Sequence, residues 1–136
     1  MNKSAKRYLI TAARTAGKQA HANYSNFPVG AALETTDGEI ITGCNVESSS
    51  YGLTICAEQV ALAKALSEGK SSFKTIAIVG PNPDFCPPCG ACRQLLYDYA
   101  PDLSVIMTDG QNTKTVKLSE LLPLAFGATK LERKRK

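Results

Sequence analysis

The chain has 136 residues, 43% of them hydrophobic and 21% charged, which is the composition of a globular protein able to build one core without disulfides. No apolar run approaches the ~20 residues that cross a bilayer, so neither a membrane span nor a membrane partner is expected. The formal net charge of +4 is accounted for by the run Lys130–Lys136, five bases against one acid, leaving a neutral body with no reason to track phosphates, and nucleic acid is not expected as a partner. The organisation expected is one domain over residues 1–131 and a solvated basic tail over 132–136.

The first acid is Glu34, and the stretch before it is basic and rich in Ala and Thr, somewhat as organelle transit peptides are. Its apolar pattern favours a core helix instead. Leu9, Ala12, Ala13 and Ala16 recur at i, i+3, i+4 and i+7, with Lys6, Arg7, Arg14 and Lys18 off the stripe. A helix over about Ser4–His21 would then give way to a loop at Asn23-Tyr24-Ser25-Asn26. Val29–Leu33 and Ile40–Val46 flank Asp37-Gly38, a strong hairpin signal. Glu58–Leu66 is a helical run that stops at Gly69. Thr75–Gly80 reads as a buried strand, Pro81–Pro88 as a loop, Cys89–Tyr99 as a helix and Leu103–Thr108 as another buried strand. Asp109-Gly110 turns the chain into a polar edge strand near Lys114–Lys117, and Leu118–Leu122 closes with a short helix. Helices alternating with apolar strands after an opening hairpin give an α/β fold, a three-layer α/β/α sandwich on a mixed sheet of about five strands.

Five cysteines are an odd number, and three of them crowd at 86, 89 and 92, which, with no secretory signal expected, reads as metal chemistry rather than as a disulfide framework. Pro88 suits the first turn of a helix, and Cys89 and Cys92 then stand at i and i+3 on one helical face. Cys56 opens the other helix, so two helix N-termini would direct partial positive charge at one ion. A zinc held by three protein ligands keeps a coordination position open, and Glu58, two residues after Cys56, is in reach to move protons there. Other readings stand beside this one. Cys89-x-x-Cys92 alone fits a structural zinc or a redox pair, and Cys56, Cys86, Cys89 and Cys92 could be written as a closed four-cysteine site. Pro87-Pro88 argues against the latter by forcing an extended turn between Cys86 and Cys89. Cys44 reads as a small buried apolar side chain.

Cys56-Ala57-Glu58 followed by Pro88-Cys89-Gly90-Ala91-Cys92 matches the signature of zinc-dependent deaminases: a metal ligand, one residue, Glu, and later Pro-Cys-x-x-Cys. The chain resembles the small homotetrameric cytidine deaminases more widely. The resemblance is carried by Tyr24–Leu33, by Gly43-Cys44-Asn45-Val46-Glu47 with Tyr51, by Ile55–Glu58, by Pro88–Gln94, and by Leu121-Leu122-Pro123 with Phe126-Gly127. It runs from the first helix to about Leu131. It implies a cytidine deaminase-like fold and a cytoplasmic homotetramer of pyrimidine salvage with one Zn²⁺ per subunit. The reaction implied is hydrolysis of cytidine and 2′-deoxycytidine to uridine and 2′-deoxyuridine with release of ammonia.

By resemblance Cys56, Cys89 and Cys92 ligate zinc, while Glu58 protonates ring N3 and relays a proton to the departing ammonia. Phe27 packs against the base, the Ala57 amide donates to its 2-oxo group, and Asn45 and Glu47 grip the ribose 3′-hydroxyl. Tyr51 and Phe126 help form a neighbouring subunit's pocket. Without the resemblance, Phe27 reads equally as a core aromatic, Asn45 and Glu47 as a polar strand end, and Phe126 as a hydrophobe at a helix terminus. One departure stands out: Gln59 follows Glu58 where the family usually carries Arg, which would leave Arg93 and the helix ends to offset the thiolate charge. Within the class, a deaminase of another cytosine-like nucleoside such as blasticidin S, or a nucleic-acid editing deaminase, is the competing reading. Outside it stands a structural zinc module in an interaction protein.

Overall fold

The computed structural model describes residues 1–81 and 83–127; the basic tail assigned to 132–136 and the domain limit at 131 lie outside the described residues. The described elements in chain order are α1 (Lys3–Gly17), β1 (Gly30–Thr35), β2 (Ile40–Cys44), a single 3₁₀ turn (Tyr51–Leu53), α2 (Ala57–Ser67), β3 (Phe73–Val79), α3 (Gly90–Tyr99), β4 (Ser104–Thr108), β5 (Thr113–Lys117) and α4 (Leu118–Leu121).

The strands form one sheet in the order β2-β1-β3-β4-β5. β3 and β4 are its one parallel pair among the described strands, and α3 supplies the crossover that a parallel pair requires. β1 pairs antiparallel with β2 and β3, and β4 with β5. The hairpin between β1 and β2 turns at Gly38, whose φ of 92° lies where a side chain would be strained.

Strand alternation divides the core between the two faces. Ala32, Ala77, Val79 and Ile106 pack under Leu9, Ile10 and Ala13 of α1. Leu33, Ile76, Ile78 and Val105 face the layer built by Ala61, Leu62, Ala65 of α2 and Leu96 of α3. A strand buried on both sides must be apolar without interruption, which is why residues 75–79 carry no period-two pattern. The three-layer α/β/α sandwich on a mixed five-stranded sheet is therefore the fold observed.

The first helix ends at Gly17 rather than near His21. Past Gly17 the N–H groups of Lys18, Gln19 and Ala20 donate to the carbonyls of Thr15, Ala16 and Gly17 in tighter i→i−3 turns. The chain then reaches His21, which bridges to Val46 with its N–H donating to the Asn45 carbonyl at 2.9 Å. The turn itself is packed backbone to backbone, and a Cβ on Gly30 would collide with the Ala13 carbonyl oxygen and come 2.5 Å from Gly17 N. Gly30→Ala is expected to cost about 3 kcal/mol or more, because neither partner is a side chain that can swing away. In a thermal melt this lowers Tm by about 10 °C; an unchanged Tm would contradict the contact.

Candidate active site

Cys56 and Cys89 are the N-caps of α2 and α3, both with extended backbone. An N-cap side chain sits over the first turn, beside the third helical residue, and in α3 that residue is Cys92. Cys89 is therefore not inside the helix as the spacing suggested, and Pro88 precedes the cap instead of occupying the first turn. The juxtaposition survives because a cap faces the third residue of its own helix. The Sγ atoms stand 3.4 Å apart between Cys89 and Cys92 and 3.9 Å apart between Cys56 and Cys89. All three sulfurs lie within 4.8 Å of one another. A tetrahedral zinc with arms of ~2.3 Å sets its sulfurs ~3.8 Å apart, so the donor set fits that ion in chemistry and in size. Cys86 is outside the group, which removes the closed four-cysteine reading.

The thiols are electrostatically unequal. A hydrogen bond from Cys92, working against burial, brings Cys56 down to about 7, while that same bond and burial push Cys92 up. Cys56 is thus poised as thiolate, the form a metal binds. Burial pushes Cys86 up to about 11, keeping it a neutral thiol. Glu58, in the first turn of α2, is 5% exposed, and burial raises its carboxyl above the usual carboxylate range. A carboxyl that holds a proton more readily than usual is suited to passing one on.

Above the sulfurs lies a cavity of about 380 Å³ whose walls include Phe27, Asn45, Glu47, Ala57, Glu58 and Cys86. The segment Asn45–Glu47 reaches it because Val46 is clamped by two 2.9 Å bonds to the backbone of Ile55 and by its bridge to His21. Asn45 is 7% exposed. Its Oδ1 accepts from Val29 N–H at 2.9 Å and its Nδ2 donates to the Phe27 carbonyl at 3.0 Å and to Glu47 Oε2 at 3.5 Å. Glu47 Oε1 accepts from the N–H groups of Tyr24 and Ser25 at 2.9 and 3.0 Å, and Oε2 accepts from the Ser25 hydroxyl. Hydrogen bonding from Ser25 holds the Glu47 carboxyl below the usual range, so it is ionised at neutral pH.

These contacts fix the loop that carries Phe27, whose ring is 47% exposed and so is not a core aromatic. Sequence reasoning missed Ser25. Its hydroxyl donates to Glu47 and accepts from Phe27 N–H at 3.0 Å, linking two walls of the cavity. The Ser-x-Phe spacing of a side-chain turn was the available signal.

Gln59 Oε1 accepts from the Cys56 N–H at 3.4 Å, so its amide is turned to the backbone. Arg93 donates from Nε to the Pro88 carbonyl and from Nη1 to the Leu121 carbonyl, each at 2.8 Å, tying the approach to Cys89 onto α4. Tyr51 and Phe126 are 74% and 58% exposed and do not line this cavity. Tyr51 meets Tyr24 edge-on at 6.2 Å, and the Phe126 carbonyl accepts from Gln94 Nε2 at 2.8 Å. Cys44 is half-buried rather than enclosed.

A sheet flanked by helices on both faces, with two helix N-termini closing three sulfurs and a buried carboxyl under one cavity, is the architecture of a zinc-dependent deaminase. The family described as the cytidine and deoxycytidylate deaminase zinc-binding region matches residues 3–108. A cytidine deaminase of Halalkalibacterium halodurans is 47% identical over 122 residues, covering 88% of this chain and 92% of the relative. The crystal structure of cytidine deaminase from Burkholderia pseudomallei superposes with a TM-score of 0.86 at 45% identity, covering 93% of this chain and 100% of that one. Blasticidin-S deaminase of Bacillus cereus is 40% identical over 107 residues, 72% of this chain and 76% of the relative. The chain belongs to the zinc-binding cytidine and deoxycytidylate deaminase family.

Proposed function

We propose that this protein hydrolyses cytidine and 2′-deoxycytidine to uridine and 2′-deoxyuridine, releasing ammonia from a cyclic amidine, in cytoplasmic pyrimidine salvage. The observation that carries the reading is the buried Glu58 carboxyl one turn-start away from three converging sulfurs, at the floor of a cavity of nucleoside size. Cys56, Cys89 and Cys92 would hold the zinc, which when bound would supply the Lewis acidity that makes water a nucleophile at neutral pH.

The remaining work falls to side chains. Glu58 takes one proton from the attacking water and gives it to ring N3, then takes the remaining proton of the hydroxyl now on C4 and delivers it to the amino nitrogen as the C4–N bond breaks and the C4 carbonyl forms. The Ala57 amide holds the 2-oxo group and Phe27 covers the base. Asn45 and Glu47 receive the ribose 3′-hydroxyl, held in place for it by their bonds to the Val29, Phe27, Tyr24 and Ser25 loop. A site built to bind a hydroxyl rejects its absence by as much as roughly 10⁴–10⁵, so free cytosine is a poor substrate.

Exposure of Tyr51 and Phe126 outside the cavity supports an oligomer in which these two side chains complete a neighbouring subunit's site; the assembly proposed is a homotetramer. Among the described residues, no helix is long and apolar enough to cross a membrane. The test is loss of ultraviolet absorbance on cytidine with stoichiometric ammonia. A protein that binds zinc but leaves cytidine unchanged would defeat the reading. Turnover of blasticidin S in preference to cytidine would move it to the second reading, which the Bacillus cereus relative supports.

Gln59 leaves one charge unaccounted for. Three thiolates outweigh a divalent ion, and Gln59 contributes no charge. The two helix N-termini carry the compensation in this chain, with Arg93 acting at one remove, since its Nε and Nη1 are committed to the Pro88 and Leu121 carbonyls. Gln59→Arg is expected to raise turnover several-fold or to displace the pH profile. Identical kinetics at every pH would contradict this assignment.

A further inference from the structure

We propose that Cys86, seated in a notch left open by Gly80, is the specificity-determining wall of the base pocket and limits the substituent that a cytosine ring can carry at C5. The inference rests on the deaminase reading and assigns the part of the ring which that reading leaves free. With N3 at Glu58, the 2-oxo group at the Ala57 amide and C4 toward the sulfurs, the unassigned edge of the base is C5–C6. The cavity walls not engaged by those roles include Phe27, Cys86 and Pro87.

Two of those walls meet at Gly80. A Cβ at Gly80 would stand 3.0 Å from both Cβ and Sγ of Cys86 and 3.4 Å from Phe27 Cε2. Gly80 has no left-handed φ, unlike Gly38, Gly69 and Gly110, so the glycine serves space rather than backbone conformation. Its missing side chain is the volume into which Cys86 and the edge of Phe27 fit. Cys86 is half-buried and also packs against the main core, so its position is held from behind as well as by Gly80. It takes no part in the metal group. What remains for it is shape: a small, polarisable side chain on the wall of the pocket, larger than Ala and smaller than Val.

The test compares kcat/KM for cytidine and 5-methylcytidine with the zinc-loaded enzyme. Cys86→Ala is expected to raise the 5-methylcytidine to cytidine ratio roughly tenfold, the low end of what one methylene-sized change is worth in a pocket. Cys86→Val should lower that ratio, and Cys86→Ser, close in size, should leave it unchanged. Gly80→Ala should raise KM for cytidine with little effect on kcat, because crowding reaches Phe27 and Cys86 but not Glu58. Zinc content should be the same throughout. Wild-type ratios in both Cys86→Ala and Cys86→Val, with cytidine turnover intact, would overturn the assignment of Cys86 alone. Absence of cytidine turnover in the unmodified enzyme would instead overturn the deaminase reading, and this assignment with it.

Discussion

Glu58→Gln is expected to keep the fold and one zinc per chain while deaminating cytidine at least ~10²–10⁴ times more slowly. The replacement is isosteric at a position that is 5% exposed, and trading a carboxyl for an amide leaves packing against α2 and the cavity floor in place. What it removes is the ability to accept a proton at one atom and deliver it at another. Burial already raises the Glu58 carboxyl above its ordinary range, and an amide has no titration to tune. The expected signature is a collapse of kcat with a much smaller change in nucleoside affinity. A structural zinc module predicts the reverse: Glu58→Gln would behave as the unmodified protein in every assay.

The second large effect comes from the metal. Stripping zinc with a chelator should abolish turnover and lower Tm, and restoring zinc should return both. An ion that binds only the folded state at a thousandfold above its Kd stabilises it by about 4 kcal/mol, equivalent to roughly 10 °C or more for a domain of this size. Cys92→Ser should reproduce the loss without a chelator, because Cys92 is the buried member of the group and a hydroxyl there is a poor zinc donor. Retention of zinc should fall as pH falls. Thiolates bind the ion, protons compete for them, and the apo cluster takes up protons that the loaded one lacks. Full activity after complete zinc removal would contradict the assignment of the three sulfurs.

Much of the molecule was legible in the sequence, for reasons that differ from element to element. The hairpin at Asp37-Gly38 and the helix end at Gly69 were readable because each needs a residue with a special conformation, and both glycines have positive φ. The apolar run Ile76–Val79 within β3 announced a strand buried on two faces. The metal group was readable because ligand chemistry restricts residue type as well as spacing.

What escaped depends on tertiary partners. Gly17 is a helix-stop residue that the reading passed over, and what fixes the end there is Gly30 against its backbone and the pairing of Val46 with His21. Pro88 and Cys89 were displaced by one position, since a proline can precede a cap as readily as follow it. The Ser-x-Phe turn at Ser25 was readable, but its link to the site was not, because its partner Glu47 lies 22 positions away. The 3₁₀ turn at Tyr51–Leu53 carries exposed side chains and no apolar period. Arg93 was expected to offset the thiolate charge and Gln94 was read only as part of the motif, yet both hold the backbone of the C-terminal segment, through the carbonyls of Leu121 and Phe126.

X-ray absorption at the zinc edge of the purified protein bears most directly on the chemistry. Three sulfur neighbours at ~2.3 Å and one lighter neighbour are expected, the pattern of a site that keeps a position for substrate chemistry. Four sulfurs around the ion would mean a closed structural centre, and the account of Glu58, the cavity and the reaction would fall together.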